Sequence, residues 1–272
     1  MTAARSLNGW DCHAHLFGPY DRYPLAAERS YTPPEASGEQ YQAVLRQLGL
    51  SHGVLVHPSA YGEDYARVFD ALQTYPNLRG VIVARSGTDL ALPTLRARGV
   101  RALRFSHRGG AAANFAGSAD LQDLQALAPA MADAGLHAEI WTDCSVLPAI
   151  ADVVRALPVP LVIDHMGGFH AAAGPADAGF QCLRALLAEG HVWVKLSAYR
   201  NLLGQDLSVG VPFQQALQAA NPDQLVWGSD WPHLRIDPWP DTQALLQHFK
   251  TACGSVALQH KILVDNPARL YD

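Results

Sequence analysis

Three short stretches of the sequence concentrate groups able to move protons or polarise a carbonyl. They are Asp11-Cys-His13-Ala-His15, Asp164-His165, and Asp230 within Gly228-Ser-Asp230-Trp-Pro-His233. Alternate residues of an extended segment share a face, so Asp11, His13 and His15 should point the same way. By the same rule Asp164 and His165 fall on opposite faces, and only one of them should point inward. Each stretch ends an apolar run, where a polar group costs free energy to bury unless it has partners or a task. The plainer readings are two surface histidines in a chain with 12 His, a turn role for Asp164 and Asp230, and a surface His165.

Arginines supply a second signal. One run contains Arg101, Arg104 and Arg108, and another runs from Lys195 to Arg200. A guanidinium fork binds a carboxylate bidentately, so arginines aimed at one place imply an anionic small-molecule substrate. The plainer reading makes them partly solvated loop charges. Other chemistries lack their motifs. There is no G-x-S-x-G elbow, no H-E-x-x-H and no G-x-G-x-x-G, and Gly109-Gly110 alone is too short to cradle a phosphate. The cysteines, Cys12, Cys144, Cys182 and Cys253, are scattered with no C-x-x-C pair, which fits neither a disulfide framework nor structural zinc. Cys12 and Cys144 read as buried, inert thiols.

These residues need elements to hold them. Apolar, strand-like runs occur at Gly9–His15, Gly53–His57, Gly80–Ala84, Val100–Phe105, His137–Trp141, Leu161–Asp164, Val192–Leu196 and Leu225–Trp227. They are rich in Val, Ile and Leu with little polar alternation, as in a parallel sheet covered on both faces. Helical patterns lie between them. Ser37-Gly-Glu-Gln40 is a capping box leading into a face of Tyr41, Val44, Leu45 and Leu48. Further faces are Leu121, Leu124, Leu127 and Met131, then Val146, Ile150, Val153 and Leu157. Eight strands alternating with helices over residues 1–272 predict an α/β fold, a single (β/α)8 TIM barrel, with its active site at the C-terminal strand ends. A doubly wound open sheet is the alternative, weakened by the missing glycine fingerprint.

Composition narrows the class. The chain has 272 residues, 49% of them hydrophobic and 17% charged, with a formal net charge of −5. That is enough apolar material for a sizeable core and argues against disorder. No basic excess marks a nucleic-acid binder, and no apolar run is long enough for a membrane span. The opening MTAARSLNGW lacks the apolar core of a secretory signal, so a reducing cytoplasm is the expected compartment. The sequence carries no signal for an oligomeric state.

Together the motifs HAH, IDHMGG and LVWGSDWPH resemble the amidohydrolase superfamily, and more closely its 2-pyrone-4,6-dicarboxylate lactonase branch, with D-galactarolactone isomerase a near relative. The likeness runs nearly end to end through WDCHAHLFGP, ERSYTP, GVRALRF, VWVKLS and KILVDNPARLYD. The resemblance implies that His13, His15, His165 and Asp230 occupy ligand or catalytic positions. It implies that Tyr31 and Ser59 make small polar contacts to substrate and that Arg104 and Arg200 bind carboxylates. This chain departs from the pattern in three places. Arg108 follows Arg104 sooner than a second arginine usually does, Trp141 replaces a tyrosine, and Tyr61 replaces a histidine.

The resemblance also frames the question of metal. Two-metal amidohydrolases add a Lys or Glu on strand four and a His on strand five. Strand four here offers neither, and His137 sits at the N-terminal end of strand five. One Zn²⁺ on His13, His15, His165 and Asp230 stays open. The expectation is a metal-free lactonase in which Asp230 activates water, the three histidines stabilise the oxyanion, and Arg104, Arg108 and Arg200, with Tyr31, Ser59 and Trp141, hold the substrate. A sugar-acid lactone isomerase and a non-catalytic binder are the other classes.

Overall fold

A computed structural model describes residues 8–272 apart from 110–114, 203, 205 and 237. Gly110 of the Gly109-Gly110 pair and the first seven residues of the MTAARSLNGW segment lie outside the described residues. Eight parallel strands follow one another around the sheet in chain order: β1 (Trp10–Ala14), β2 (His52–Val56), β3 (Leu78–Val83), β4 (Val100–His107), β5 (His137–Thr142), β6 (Leu161–Ile163), β7 (Val192–Leu196) and β8 (Leu225–Trp227). All eight runs read from the sequence are strands, within two residues at either end. Helices connect them, and the architecture is a single (β/α)8 barrel.

The capping box is realised at α1 (Gly38–Leu48). Ser37 Oγ accepts from Gln40 N at 3.2 Å, while Gln40 Oε1 accepts from Ser37 N at 2.7 Å. Tyr41, Leu45 and Leu48 are buried against the strands and Val44 is half-buried. In the helix Leu121–Asp133 the buried face is Leu124, Ala128 and Met131, with Leu121 and Leu127 at its edges. The third expected face is shifted. The helix Leu147–Arg155 starts after a short 3₁₀ turn and carries Pro148 in its first turn, so Leu147, Ile150, Ala151 and Val154 face the core, Leu157 packs at its edge, and Val146 and Val153 do not join it.

The barrel interior is a second apolar cluster, distinct from the layer between strands and helices. It joins Trp10 and Cys12 of β1, Val54 and Val56 of β2, Val81, Ala102, Val162, Trp193 and Val226, with Tyr271 from the C-terminal helix closing the floor. Residues drawn from seven strands meet only inside the barrel, so Cys12 points inward. His13 also points inward, because β1 is bulged. Asp11 pairs with Gly53 and Ala14 with Leu55, so three steps on β1 match two on β2. The expectation that Asp11 shares a face with His13 and His15 is therefore wrong. Asp11 points out of the barrel, where its carboxylate accepts from Tyr41 Oη of α1 at 3.1 Å, and from Ser229 N at 2.7 Å and Ser229 Oγ at 2.6 Å.

Closure between β8 and β1 is made by the segment that carries Asp230. Asp230 N donates to His13 O at 2.8 Å and His15 N to Trp231 O at 2.8 Å. Gly228 makes this approach possible, since a Cβ there would stand 2.6 Å from His13 Cβ and 2.9 Å from His13 N. Arg101 lies at the start of β4, away from the mouth. It donates from Nε to the Tyr271 carbonyl at 2.8 Å and so anchors the floor, contrary to its expected aim.

Candidate active site

The C-terminal strand ends enclose a cavity of about 340 Å³ lined by His15, Tyr31, Ser59, Arg104, Arg108, Trp141, His165, Arg200 and Asp230, together with Ser30, Pro58, Phe115, Leu234 and Arg235. Nine of the ten residues singled out for catalysis or binding therefore line one cavity. His13 is the tenth and lies one layer below, fully buried, its ring 5.0 Å from that of His15 and 4.8 Å from that of His165. Tyr61 does not reach the cavity. It stacks on Phe17, and its hydroxyl accepts from Gly18 N at 2.8 Å.

Asp164 and His165 both serve the site, against the expectation that only one would point inward. β6 ends at Ile163, and His165, Met166 and Gly167 all take left-handed dihedrals, with φ of 50°, 52° and 65°. That turn swings His165 back over the barrel while Met166 fills the core. Asn201 secures the turn by donating to His165 O at 2.7 Å, and Ser197 Oγ is 2.7 Å from His165 Nδ1. Asp230 also has a positive φ, 60°. Backbone strain of this kind concentrates at functional sites, and Asp tolerates it better than most residues.

The charges alternate. Arg200 donates from Nε to Asp230 Oδ2 at 2.6 Å, and Tyr199 Oη donates to the same oxygen at 2.8 Å. Oδ1 is left facing His15 Nε2 at 3.4 Å and His13 Nε2 at 3.6 Å. Burial alone would raise the Asp230 carboxyl, but the Arg200 guanidinium beside it holds it well below the usual carboxylate range. Arg104 bonds Asp164 Oδ2 from Nε at 2.9 Å. Arg108 bonds Asp143 at 2.7 Å and lies 4.4 Å over the Trp141 ring. Burial, aided by the charge of Lys195, pushes His13 down to about 4, and burial drives His165 well below the ordinary imidazole value, so both rings are neutral. Cys12 and Cys144 are buried, and burial pushes the Cys144 thiol up to about 12 and Cys12 well above its ordinary value, so neither offers a thiolate.

Beneath the histidines lies a charged layer that the motif reading passed over. Lys195 Nζ, fully buried, is 2.7 Å from Glu139 Oε2, 3.0 Å from Asp164 Oδ1 and 3.2 Å from His13 Nδ1. Tyr271 Oη donates to Glu139 Oε1 at 2.7 Å. The signal was present in the sequence. A lone Lys in Val-Trp-Val-Lys-Leu and a lone Glu in His-Ala-Glu-Ile-Trp are opposite charges in the middle of apolar strands, and each needs the other if both are buried. Arg235 and Phe115 were missed because they stand on loops, and Tyr199 because it opens a single helical turn, Tyr199–Leu202, too short for periodicity to announce direction.

The amidohydrolase family model matches residues 10–272. The chain belongs to the amidohydrolase family. It is 36% identical over 96% of its length to a 4-sulfomuconolactone hydrolase of Rhizobium radiobacter, covering 89% of that protein. It is 34% identical to a 2-pyrone-4,6-dicarboxylate hydrolase of Comamonas testosteroni, covering 96% of this chain and 89% of the relative. Among solved structures, a probable 2-pyrone-4,6-dicarboxylic acid hydrolase from Acinetobacter baumannii with citric acid bound superimposes with a TM-score of 0.82 at 26% identity, covering 97% of this chain and 99% of that one.

The amidohydrolase's donor set can be tested against a metal. His13, His15 and Asp230 bring ligand atoms within 4.8 Å of one another, as do His13, Asp164 and His165. His13 fits neither set. Its Nδ1 lies 3.2 Å from Lys195 Nζ and 3.4 Å from Asp164 Oδ1, and the nearer group, an ammonium, only donates, so it calls for the Nδ1 lone pair and leaves the ring proton to Nε2, the nitrogen a metal would need. Both Asp164 oxygens already face cations, Lys195 and Arg104. Strand β4 offers no Lys or Glu to bridge two metals, and His137 sits at the barrel floor against Tyr271.

Proposed function

We propose that this amidohydrolase hydrolyses a small lactone bearing carboxylate or a similar anionic group, of the 2-pyrone-4,6-dicarboxylate type, without metal. One observation carries the reading. A buried carboxylate, Asp230, has one oxygen saturated by Arg200 and Tyr199 and the other open to two imidazoles, at the base of a cavity ringed by Arg104, Arg108, Arg200 and Arg235. This arrangement pairs a general base with an anion-binding wall.

In the proposed reaction, water attacks the lactone carbonyl carbon while its proton passes to Asp230 Oδ1. His15 faces the same oxygen. Its Nδ1 donates to Val56 O at 2.7 Å, which turns Nε2 toward Asp230 Oδ1 and the path of the proton. The carbonyl π pair moves onto oxygen, where His13 and His165 stabilise the negative charge. Collapse re-forms the carbonyl and breaks the ring C–O bond, and the proton returns to the departing ring oxygen. Arg104, Arg108 and Arg200, with Tyr31 and Ser59, hold the carboxylates and so fix the ring against the water. Trp141, Phe115 and Tyr31 give the cavity flat aromatic walls, which suit a planar conjugated lactone better than a polyhydroxylated sugar lactone and favour hydrolysis over sugar-lactone isomerisation.

The test is a panel of aromatic-degradation lactones, sulfonated lactones and sugar-acid lactones, assayed before and after prolonged chelation, with product analysis. Ring-opened acid formed equally before and after chelation is expected. Turnover only of sugar lactones to isomers, or activity lost to chelator and restored by one Zn²⁺, would replace this reading.

A further inference from the structure

Lys195 is surrounded more fully than a counter-ion requires. Glu139 and Asp164 already neutralise it from two sides, at 2.7 and 3.0 Å. Its third contact, His13 Nδ1 at 3.2 Å, adds no charge balance. It does fix where the His13 proton sits. Asp164 Oδ1 lies 3.4 Å from the same nitrogen, but the ammonium is nearer to Nδ1, at 3.2 Å, and also meets that oxygen at 3.0 Å; with three N–H groups and no lone pair it can only donate, so Nδ1 accepts and the neutral ring carries hydrogen on Nε2. Among the described residues Nε2 has no hydrogen-bond partner although it is fully buried, and it faces Asp230 Oδ1 at 3.6 Å. Such an atom is costly to leave unpaired unless something arrives to meet it.

His15, two residues on, is set the opposite way. Its Nδ1 faces a backbone carbonyl, that of Val56, which can only accept, so Nδ1 carries the hydrogen and Nε2 the lone pair. The two rings of the His13-Ala-His15 motif therefore address the same Asp230 oxygen with opposite proton placement, each dictated from behind.

We propose that Lys195 is a positioning residue that, through Nδ1, holds His13 as the Nε2–H tautomer, so that His13 presents a hydrogen-bond donor to the substrate's reacting oxygen. Glu139 supports it, and Tyr271 from the C-terminal helix in turn fixes Glu139. Swapping the tautomer would turn a lone pair toward the developing oxyanion. The consequence for turnover rests on the lactone reading above, whereas the tautomer itself does not.

The experiment is ring ¹H–¹⁵N correlation spectroscopy of the full-length protein labelled with ¹⁵N-histidine, at neutral pH in metal-free buffer, with His13→Gln assigning the signal. The expected wild-type spectrum has His13 protonated on Nε2, and in Lys195→Met the signal moves to the Nδ1–H pattern or to exchange averaging. With a turned-over lactone, Lys195→Met should lose about 100-fold in kcat with KM little changed, the usual effect of losing one oxyanion donor. An Nδ1–H ring in the wild type overturns the proposal and needs no variant to fold. So does a folded Lys195→Met protein with wild-type kcat. If no lactone is turned over by the wild type, the hydrolase reading fails while the tautomer measurement still decides this one.

Discussion

Arg200 and Asp230 form the closest ion pair of the site. Both Nε, at 2.6 Å, and a terminal nitrogen of the guanidinium donate to the single oxygen Oδ2. The arginine expected to bind substrate is thus first of all the partner of the candidate base. It keeps the carboxylate ionised and turns Oδ1 toward the histidines. Arg200→Ala should then lower kcat as well as raise KM. With the cation gone, burial raises the Asp230 carboxyl. The acid limb of the kcat/KM profile should move to higher pH, and activity should be lost earlier on acidification. An unmoved acid limb in a folded Arg200→Ala protein would detach Arg200 from the base.

Arg108 and Arg235 are placed differently. Arg108 pairs with the half-buried Asp143, and Arg235 is exposed at the rim with no hydrogen bond or ion pair among the described residues. These two are free to answer a substrate anion without unsettling the base. Arg108→Ala and Arg235→Ala should raise KM about 10-fold or more with kcat nearly unchanged, as loss of a charge-assisted hydrogen bond of about 1.5–3 kcal/mol implies. A dicarboxylate lactone and its methyl ester, compared on the wild type, check the same point from the ligand side. Equal kcat/KM for acid and ester would remove the anion-binding role.

Asp230→Asn keeps the size and removes the proton acceptor. Loss of a general base typically costs 10²–10⁴-fold, so kcat should fall by about that factor while KM changes little. Near-normal kcat in a folded protein would leave Asp230 a turn residue, since Asn serves its left-handed backbone almost as well.

The barrel itself was legible because eight apolar runs at regular spacing leave few alternatives, and the four central residues were legible because they end those runs. What was not legible follows from parity. Strict alternation put Asp11 with His13 and separated Asp164 from His165. A bulge in β1 and a left-handed turn after β6 reverse both assignments, and neither has a strong local signature. The ion pairs were hidden for another reason. Arg104 with Asp164, and Arg200 with Asp230, lie 60 and 30 residues apart in sequence, and only closure of the barrel makes them neighbours.

Burial also shapes stability against pH. His13, His57 and His233 are all pushed down to about 4 by burial, from an ordinary 6.5. Between those values the unfolded chain binds more protons than the folded one, so stability falls as pH falls through that window. Burial raises Asp11 to about 6 from 3.8. There the folded state binds the extra proton, which stabilises it on acidification and offsets one histidine. Burial pushes His165 and His137 down as well, so the histidines outweigh Asp11 and stability falls with pH through that window. Urea unfolding at pH 7, 6 and 5 should show stability falling over both steps, and more over the second than over the first. A flat profile would mean that these imidazoles protonate freely in the folded state.

The bulge in β1 gives the sharpest structural test. Because Gly228 lacks a side chain, the strand end of β8 can lie against Cys12 and His13, where an added Cβ would stand 2.6 Å from His13 Cβ and 2.9 Å from its backbone nitrogen. His13 is held on the far side. The His13 ring is fixed by Lys195, and the His13 carbonyl accepts from Asp230 N at 2.8 Å. Gly228→Ala cannot be relieved by rotating a flexible side chain, so β1 and β8 must part. Overpacking of this kind costs about 1–3 kcal/mol. The displaced atoms include His13 and the backbone of Asp230, and a shift of about 1 Å at such positions can cost about 100-fold in rate. Gly228→Ala should therefore lose kcat far in excess of its loss of stability, measured by lactone turnover and urea unfolding on the same preparation. Native kcat and native stability together would show that β1 and β8 are not in this contact, and that His13 reaches the site without the bulge.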